Sequence, residues 1–298
     1  MAHQHDTPNY NRAFSLGVSL NIVFVGVEAT CGMLTGSLAL MADAGHNLSD
    51  VLSLLLAWGA SVLATRKPTP RRSYGFRRAT ILASLLSAIL LLLVLGGIAW
   101  EALGRLSTPR PVSGGTIIVV AGLGVVINTA TALFFVSGRK RDLNIRGAYL
   151  HMAADAGVSL GVVIAGLAIL ATGWLWLDPA ISLIISAFIL MSTWGLLRDS
   201  LNLALDSVPD TIDPAAVEAY LTDLPDVATV HDLHIWAMST TEVALTAHLV
   251  VPHRWSDDRF VHQISHRLRD RFGIDHATLQ IERSEAEPFC KQAAPESV

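Results

Sequence analysis

Two short runs place an imidazole and a carboxylate four residues apart: His46-Asn47-Leu48-Ser49-Asp50 and His151-Met152-Ala153-Ala154-Asp155. On a helix, residues four apart share a face, one turn from each other. Each run lies inside an apolar stretch, where ionisable side chains are costly and read as functional by default. Turned toward one another, the two faces offer two imidazoles and two carboxylates, a four-ligand set suited to tetrahedral Zn2+. Two carboxylates also balance a divalent cation where water is scarce. The plainer reading, in which each His only hydrogen-bonds its own Asp, suits one such run better than two in separate spans. Mg2+ and Ca2+ prefer all-oxygen shells, and no thiolate is close enough in sequence to favour Cu(I). Cd2+, Co2+ and Ni2+ fit an imidazole–carboxylate site nearly as well as Zn2+.

Other polar groups fall in the same apolar stretches. Asp43 precedes His46 by three residues and shares its face. It reads either as the acceptor of the free His46 N–H or as a solvated group near the outer helix end. Glu28 sits mid-span, lining an ion path or bonding to a neighbouring helix. Asn21, Asn47 and Asn128 read as donors between helices. Cys31 reads as a small buried apolar residue.

The elements that carry these residues follow from composition. Of 298 residues, 52% are hydrophobic and 15% charged, with a net charge of -4. That charge is thin for a soluble shell and the apolar content is too high for disorder. The acidic balance speaks against nucleic acid as a partner. Two cysteines exclude a disulfide framework. The polar opening carries no signal-peptide pattern. Six apolar segments, near 13–34, 38–64, 80–104, 115–137, 147–171 and 179–201, each approach the ~20 residues that cross a bilayer. Of 14 basic residues in 1–206, twelve sort to one side of this topology, and Arg105 and Arg110 to the other. Both termini are therefore expected in the cytoplasm, with the protein in the inner cell membrane. The expected organisation is an N-terminal tail (1–11), a six-helix all-α transmembrane transport domain (12–206), a cytoplasmic domain (207–284) and a flexible tail (285–298).

The cytoplasmic segment reads as helix (213–222), strand (227–237), strand (242–251), helix (256–271) and strand (276–283). This order suits a small ferredoxin-like α+β domain. Val243, Leu245, Ala247, Leu249 and Val251 alternate onto one face. Seven of the 11 histidines lie here. Strand parity groups His234, His248 and Glu282 on the polar face; a bulge could bring His231 there instead. His3 and His5 on the N-terminal tail, and Cys290 near the C-terminus, are further candidates for collecting metal.

Taken together, Ser37-Leu38-Ala39-Leu40 running to Asp43-Ala44-Gly45-His46 and Asp50, His151 with Asp155, Ser73-Tyr74-Gly75, and His231-Asp232-Leu233-His234-Ile235-Trp236 resemble the cation diffusion facilitator family, in its bacterial zinc-exporting branch. The resemblance covers nearly the whole chain. It implies a homodimer that exchanges cytoplasmic Zn2+ or related ions for protons, with His46, Asp50, His151 and Asp155 as the transport site. It implies a cytoplasmic zinc site at His231, His248 and Glu282, with His262 or His276 nearby, and an Arg78–Asp206 pair. Histidine at position 46, where some members have Asp, resembles the zinc-preferring pattern. The expected function is secondary active Zn2+/H+ antiport, with Zn2+ transported and also regulatory, and no organic cofactor. The expected partners are divalent ions, protons, a second copy of the chain and the bilayer. The competing readings are a membrane metalloenzyme, which needs a general base and an open coordination position, and a metal sensor using the same ligands. The sequence holds no His-Glu-x-x-His, Gly-x-Ser-x-Gly or Walker A motif, so an enzyme is not expected and energy should come from an ion gradient.

Overall fold

The computed structural model describes residues 10–136, 143–252 and 258–283, with side chains over 21–134, 136, 149–252 and 259–283. Six long helices come first: α1 (Tyr10–Thr35), α2 (Leu38–Ala64), α3 (Ala79–Ser107), α4 (Gly114–Phe135), α5 (Leu143–Thr172) and α6 (Leu177–Ala204). Helices α2 to α6 are long and apolar enough to cross a membrane, and α1 contributes the shorter apolar stretch Asn21–Thr35 among its described side chains. The α+β module follows: α7 (Pro214–Thr222), β1 (Thr229–Ala237), β2 (Val243–Val250), α8 (Asp258–Phe272) and β3 (His276–Glu282). His3, His5, Cys290 and the tail 285–298 lie outside the described residues. The chain forms two compact units: Met1–Leu55 with Leu86–Gly195, and Leu56–Leu85 with Leu196–Val298.

In the first unit, a buried core joins five helices through Leu40, Leu91, Leu95, Ile117, Val162, Ile185 and Ile189. Exposed apolar side chains such as Leu93, Val126, Ile164 and Met191 cover the outside, as a lipid-facing surface requires. The leucine run of α3 thus divides, Leu91 and Leu95 inward and Leu90 and Leu93 outward.

Small residues set the helix spacing. A Cβ on Gly114 of α4 would come 2.9 Å from the Gly166 carbonyl of α5, and one on Gly166 would come 2.9 Å from Ile118 Cγ1. Backbones meet here because no side chain intervenes. The start of α2 is held by Asp178 of α6. Its carboxylate accepts from Ser37 Oγ (2.6 Å), Leu38 N (2.8 Å) and Ala39 N (3.3 Å). These are orphan amides of a helix N-terminus, and a buried carboxylate satisfies both them and the positive end of the helix dipole. Gly36, at φ 68°, makes the turn into α2.

In the second unit, Asp213 caps α7 through Ala215 N, with Pro214 following in the first turn. The sheet order is β1-β2-β3, with β1 antiparallel and β3 parallel to the central β2. The parallel return needs a crossover, which α8 supplies. One face, carrying Ile235, Leu245, Ala247 and Leu249, packs with Val217, Leu221, Ile264 and Leu268 of the helices. The opposite face carries the histidines. The module is therefore α+β with both helices on one side of the sheet, as the alternation in β2 predicts. Arg77 bonds Glu242 at 2.8 Å, Thr240 N donates to Thr80 Oγ1 at 3.1 Å, and Arg78 pairs with Asp206. The last of these is the ion pair that the family resemblance implies.

Candidate metal sites

Helices α2 and α5 bring all four intramembrane candidates together. His46 Nε2 lies 3.4 Å from Asp155 and 3.8 Å from Asp50; His151 Nε2 lies 3.3 Å from Asp50 and 3.7 Å from Asp155. In each case the cross-helix distance is shorter than the distance within the helix. The plain reading, each His serving its own Asp, predicts the reverse. A tetrahedral ion with bonds of about 2.0–2.1 Å has ligand–ligand edges of about 3.3–3.4 Å. Four nitrogen–oxygen edges between 3.3 and 3.8 Å are thus close to a tetrahedral set. Asp50, His151 and Asp155 each offer a ligand atom within 4.8 Å of the others, and His46 adds its Nε2 from the α2 side.

Burial is graded across the cluster. Asp155 is 1% exposed and His46 14%, against 31% for Asp50 and 43% for His151. Neither oxygen of Asp155 has a hydrogen-bond partner among the described residues. A carboxylate so deeply buried needs a counter-charge or a proton, because its desolvation is otherwise uncompensated. A cation held by these four groups supplies it.

Asp43 departs from both sequence readings. It is fully buried, so it is not solvated, and it accepts from Ser159 Oγ of α5 at 2.9 Å. The Nδ1 of His46 is left without a hydrogen-bond partner among the described residues. Sharing a helix face does not specify the partner: Asp43 sits against α5, and a hydroxyl on that helix competes for it. Ser159 carried no signal in the sequence beyond lying one turn after Asp155. Glu28 is also fully buried, and accepts from Asn47 Nδ2 at 3.3 Å. Asn47 is thus the interhelical donor expected of it, whereas Asn128 is buried with both amide atoms unpartnered among the described residues. Cys31 packs partly buried against the core.

The second cluster lies on the polar face of the sheet. His231 Nε2 is 3.3 Å from Glu282 Oε2, His248 Nδ1 is 3.1 Å from Glu282 Oε1, and the three offer ligand atoms within 4.8 Å. A bulge makes this possible. His231 pairs with His248, but the next pair is His234 with Thr246, so Asp232 and Leu233 oppose Ala247 alone. Asp232 adopts φ 51° at the irregularity. The extra residue turns both His231 and His234 to the face of His248, which resolves the conflict between strand parity and the family pattern. His234 nevertheless stays outside the trio and bonds Asp232 at 2.9 Å. The other Asp232 oxygen lies 3.4 Å from His248 Nε2. That contact orients the imidazole so that Nδ1 faces Glu282; a search for ligands alone overlooks such a residue. Neither His262 nor His276 joins the cluster. His262 packs at a tilt against His266 on α8, and His276 meets Tyr74 edge-to-face.

A family model described as the cation efflux transmembrane domain matches residues 15–203, and one described as the cytoplasmic domain of cation efflux proteins matches 209–284. The chain belongs to the cation efflux, or cation diffusion facilitator, family. Its cation efflux relatives include the metal cation efflux system protein CzcD of Cupriavidus metallidurans, 38% identical over 96% of this chain and 91% of that protein. The zinc transporter ZitB of Escherichia coli is 38% identical over 95% of this chain and 93% of its own length. The cadmium, cobalt and zinc/H(+)-K(+) antiporter of Bacillus subtilis is 33% identical over 95% and 92%. A solved metal-bound C-terminal domain of the CzcD transporter is 35% identical over 24% of this chain and 99% of that one, with a TM-score of 0.23. As a cation efflux protein, the chain is a multi-pass membrane transporter of metal cations and not an enzyme.

Proposed function

We propose that this cation efflux protein exports Zn2+, and with lower preference Cd2+, Co2+ or Ni2+, from the cytoplasm in exchange for protons, through His46, Asp50, His151 and Asp155. The observation that carries the reading is the ring of four nitrogen–oxygen edges at 3.3 to 3.8 Å, two within the helices and the two shorter ones across from α2 to α5. Its relatives, a zinc transporter and a cadmium, cobalt and zinc/H(+)-K(+) antiporter, support both the cargo and the exchange. Imidazole and carboxylate must be deprotonated to ligate, so metal entry expels protons and proton entry expels metal. If the loaded and protonated forms reorient and the empty, ionised form does not, exchange is obligatory. The energetic reason is Asp155: buried with neither a cation nor a proton, it makes the empty form costly.

The protein works as a homodimer in the inner cell membrane, with both termini in the cytoplasm, where the trio of His231, His248 and Glu282 binds Zn2+ as a regulatory ion. The match of its C-terminal part to the dimerising cytoplasmic domain supports this arrangement. The test is Zn2+ flux in proteoliposomes with an imposed pH gradient. Flux should follow the gradient in the wild type and vanish in Asp155→Ala. Equal flux in both sinks the site assignment, and flux that ignores the gradient sinks the exchange.

A further inference from the structure

The loop between α2 and α3 is the most basic segment of the chain, with Arg66, Lys67, Arg71, Arg72, Arg77 and Arg78 inside 13 positions. It is not an extended tether. Thr69 and Arg72 exchange backbone hydrogen bonds at 3.0 and 2.9 Å, and Gly75, at φ 68°, closes a second turn on Arg72 O. A side chain at Gly75 would be strained, and its Cβ would lie 3.2 Å from the Arg66 carbonyl. The folded loop walls a cavity of about 290 Å3 lined by Arg71, Arg72, Tyr74, Arg77, Arg78 and Trp236, among others.

Among the described residues, charge in this cavity is only half neutralised. Arg77 and Arg78 are paired, with Glu242 and Asp206. Arg71 and Arg72 have no carboxylate partner among the described residues; Arg72 lies 4.6 Å over the Phe76 ring. Two unpaired guanidinium groups at one concave wall match the paired oxygens of a phosphate. The geometry points to a binding site for a phosphate-bearing anion, and specifically for the headgroup of an anionic phospholipid. The lipid is favoured over a free anion by position. The loop directly joins two helices long and apolar enough to cross a membrane, which sets its basic side chains beside lipid phosphates. A bound headgroup would bridge the loop to β1, which carries Trp236. This inference rests on the membrane topology alone and is independent of the cargo and of the exchange.

The experiment is native mass spectrometry of the full-length protein released from mixed micelles that hold phosphatidylglycerol and phosphatidylcholine of equal chain length. Wild type should retain phosphatidylglycerol in preference. R71Q/R72Q should weaken that retention by about thirtyfold, the value expected from two basic side chains near a membrane surface. R71K/R72K, which keeps the charge and loses the planar fork, should fall between. A third arm adds millimolar inorganic phosphate, which should leave the lipid in place. Equal retention by wild type and R71Q/R72Q, each with an unchanged melting temperature, overturns the site. Displacement of the lipid by inorganic phosphate overturns the lipid as its ligand.

Discussion

At the residue scale, the intramembrane cluster is defined by which imidazole approaches which carboxylate. Because both histidines lie nearer the Asp of the opposite helix, removing any one ligand opens the ring rather than one of two separate pairs. Asp155→Ala, Asp50→Ala, His46→Ala and His151→Ala should therefore each lower metal affinity by at least about tenfold. Asp155→Ala should have the largest effect, because Asp155 is the most buried of the four ligands; calorimetric titration of the purified variants measures this. The Asp232 carboxylate between His234 and His248 makes a separate prediction. Asp232→Ala should cut Zn2+ affinity at the second site by about 10–100-fold, as losses of such supporting carboxylates do. Chelator competition reads it, and the transport site should keep its affinity. The sequence disclosed the ligand types and their spacing here. It did not disclose Asp232 as a support, because its role depends on a bulge that no alternation pattern records.

At the element scale, the tetrad depends on α5 keeping its position beside α4. The Gly114–Gly166 contact leaves no room for a side chain. Gly166→Val should cost about 1–3 kcal/mol through overpacking and reduce flux through a displaced α5, although no ligand is changed; a thermal melt in detergent beside a flux assay separates the two effects. Asp178→Ala leaves three donors at the start of α2 unpaired. It should destabilise by about 1–3 kcal/mol, visible as a lower melting temperature. The Arg78–Asp206 pair differs, since both side chains are 52% exposed. Breaking it should cost no more than about 1 kcal/mol, so a larger loss of transport than of stability in Arg78→Ala would indicate a role in movement. Helix positions were legible because apolar length and breaks such as Gly36 are local. The close α4–α5 approach was not, since glycines scattered through spans do not reveal which of them meet.

At the scale of the whole molecule, metal and proton compete for the same lone pairs. Lowering the pH on the metal-loading side should therefore weaken Zn2+ binding, by about tenfold per pH unit for each proton displaced once the ligands begin to protonate. Uptake into inverted vesicles should therefore fall as the pH on the loading side is lowered and recover on return to neutral pH. A protonophore should abolish the gradient-driven component in the same vesicles. A flux unchanged by both treatments argues against exchange.

The makeup of this protein's chemistry is legible along the chain. Two His-x-x-x-Asp runs in apolar segments, a charge-rich C-terminal region and an alternating β2 are local patterns, and periodicity ties local pattern to helix face and strand face. Which faces meet is set by the tertiary fold. It set Asp43 against Ser159 and not His46, it brought His231 to the polar face through a bulge, and it left Arg71 and Arg72 without a carboxylate partner among the described residues beside a cavity. Those outcomes depend on contacts between residues far apart in the chain, where several polar groups compete for one partner and geometry selects among them.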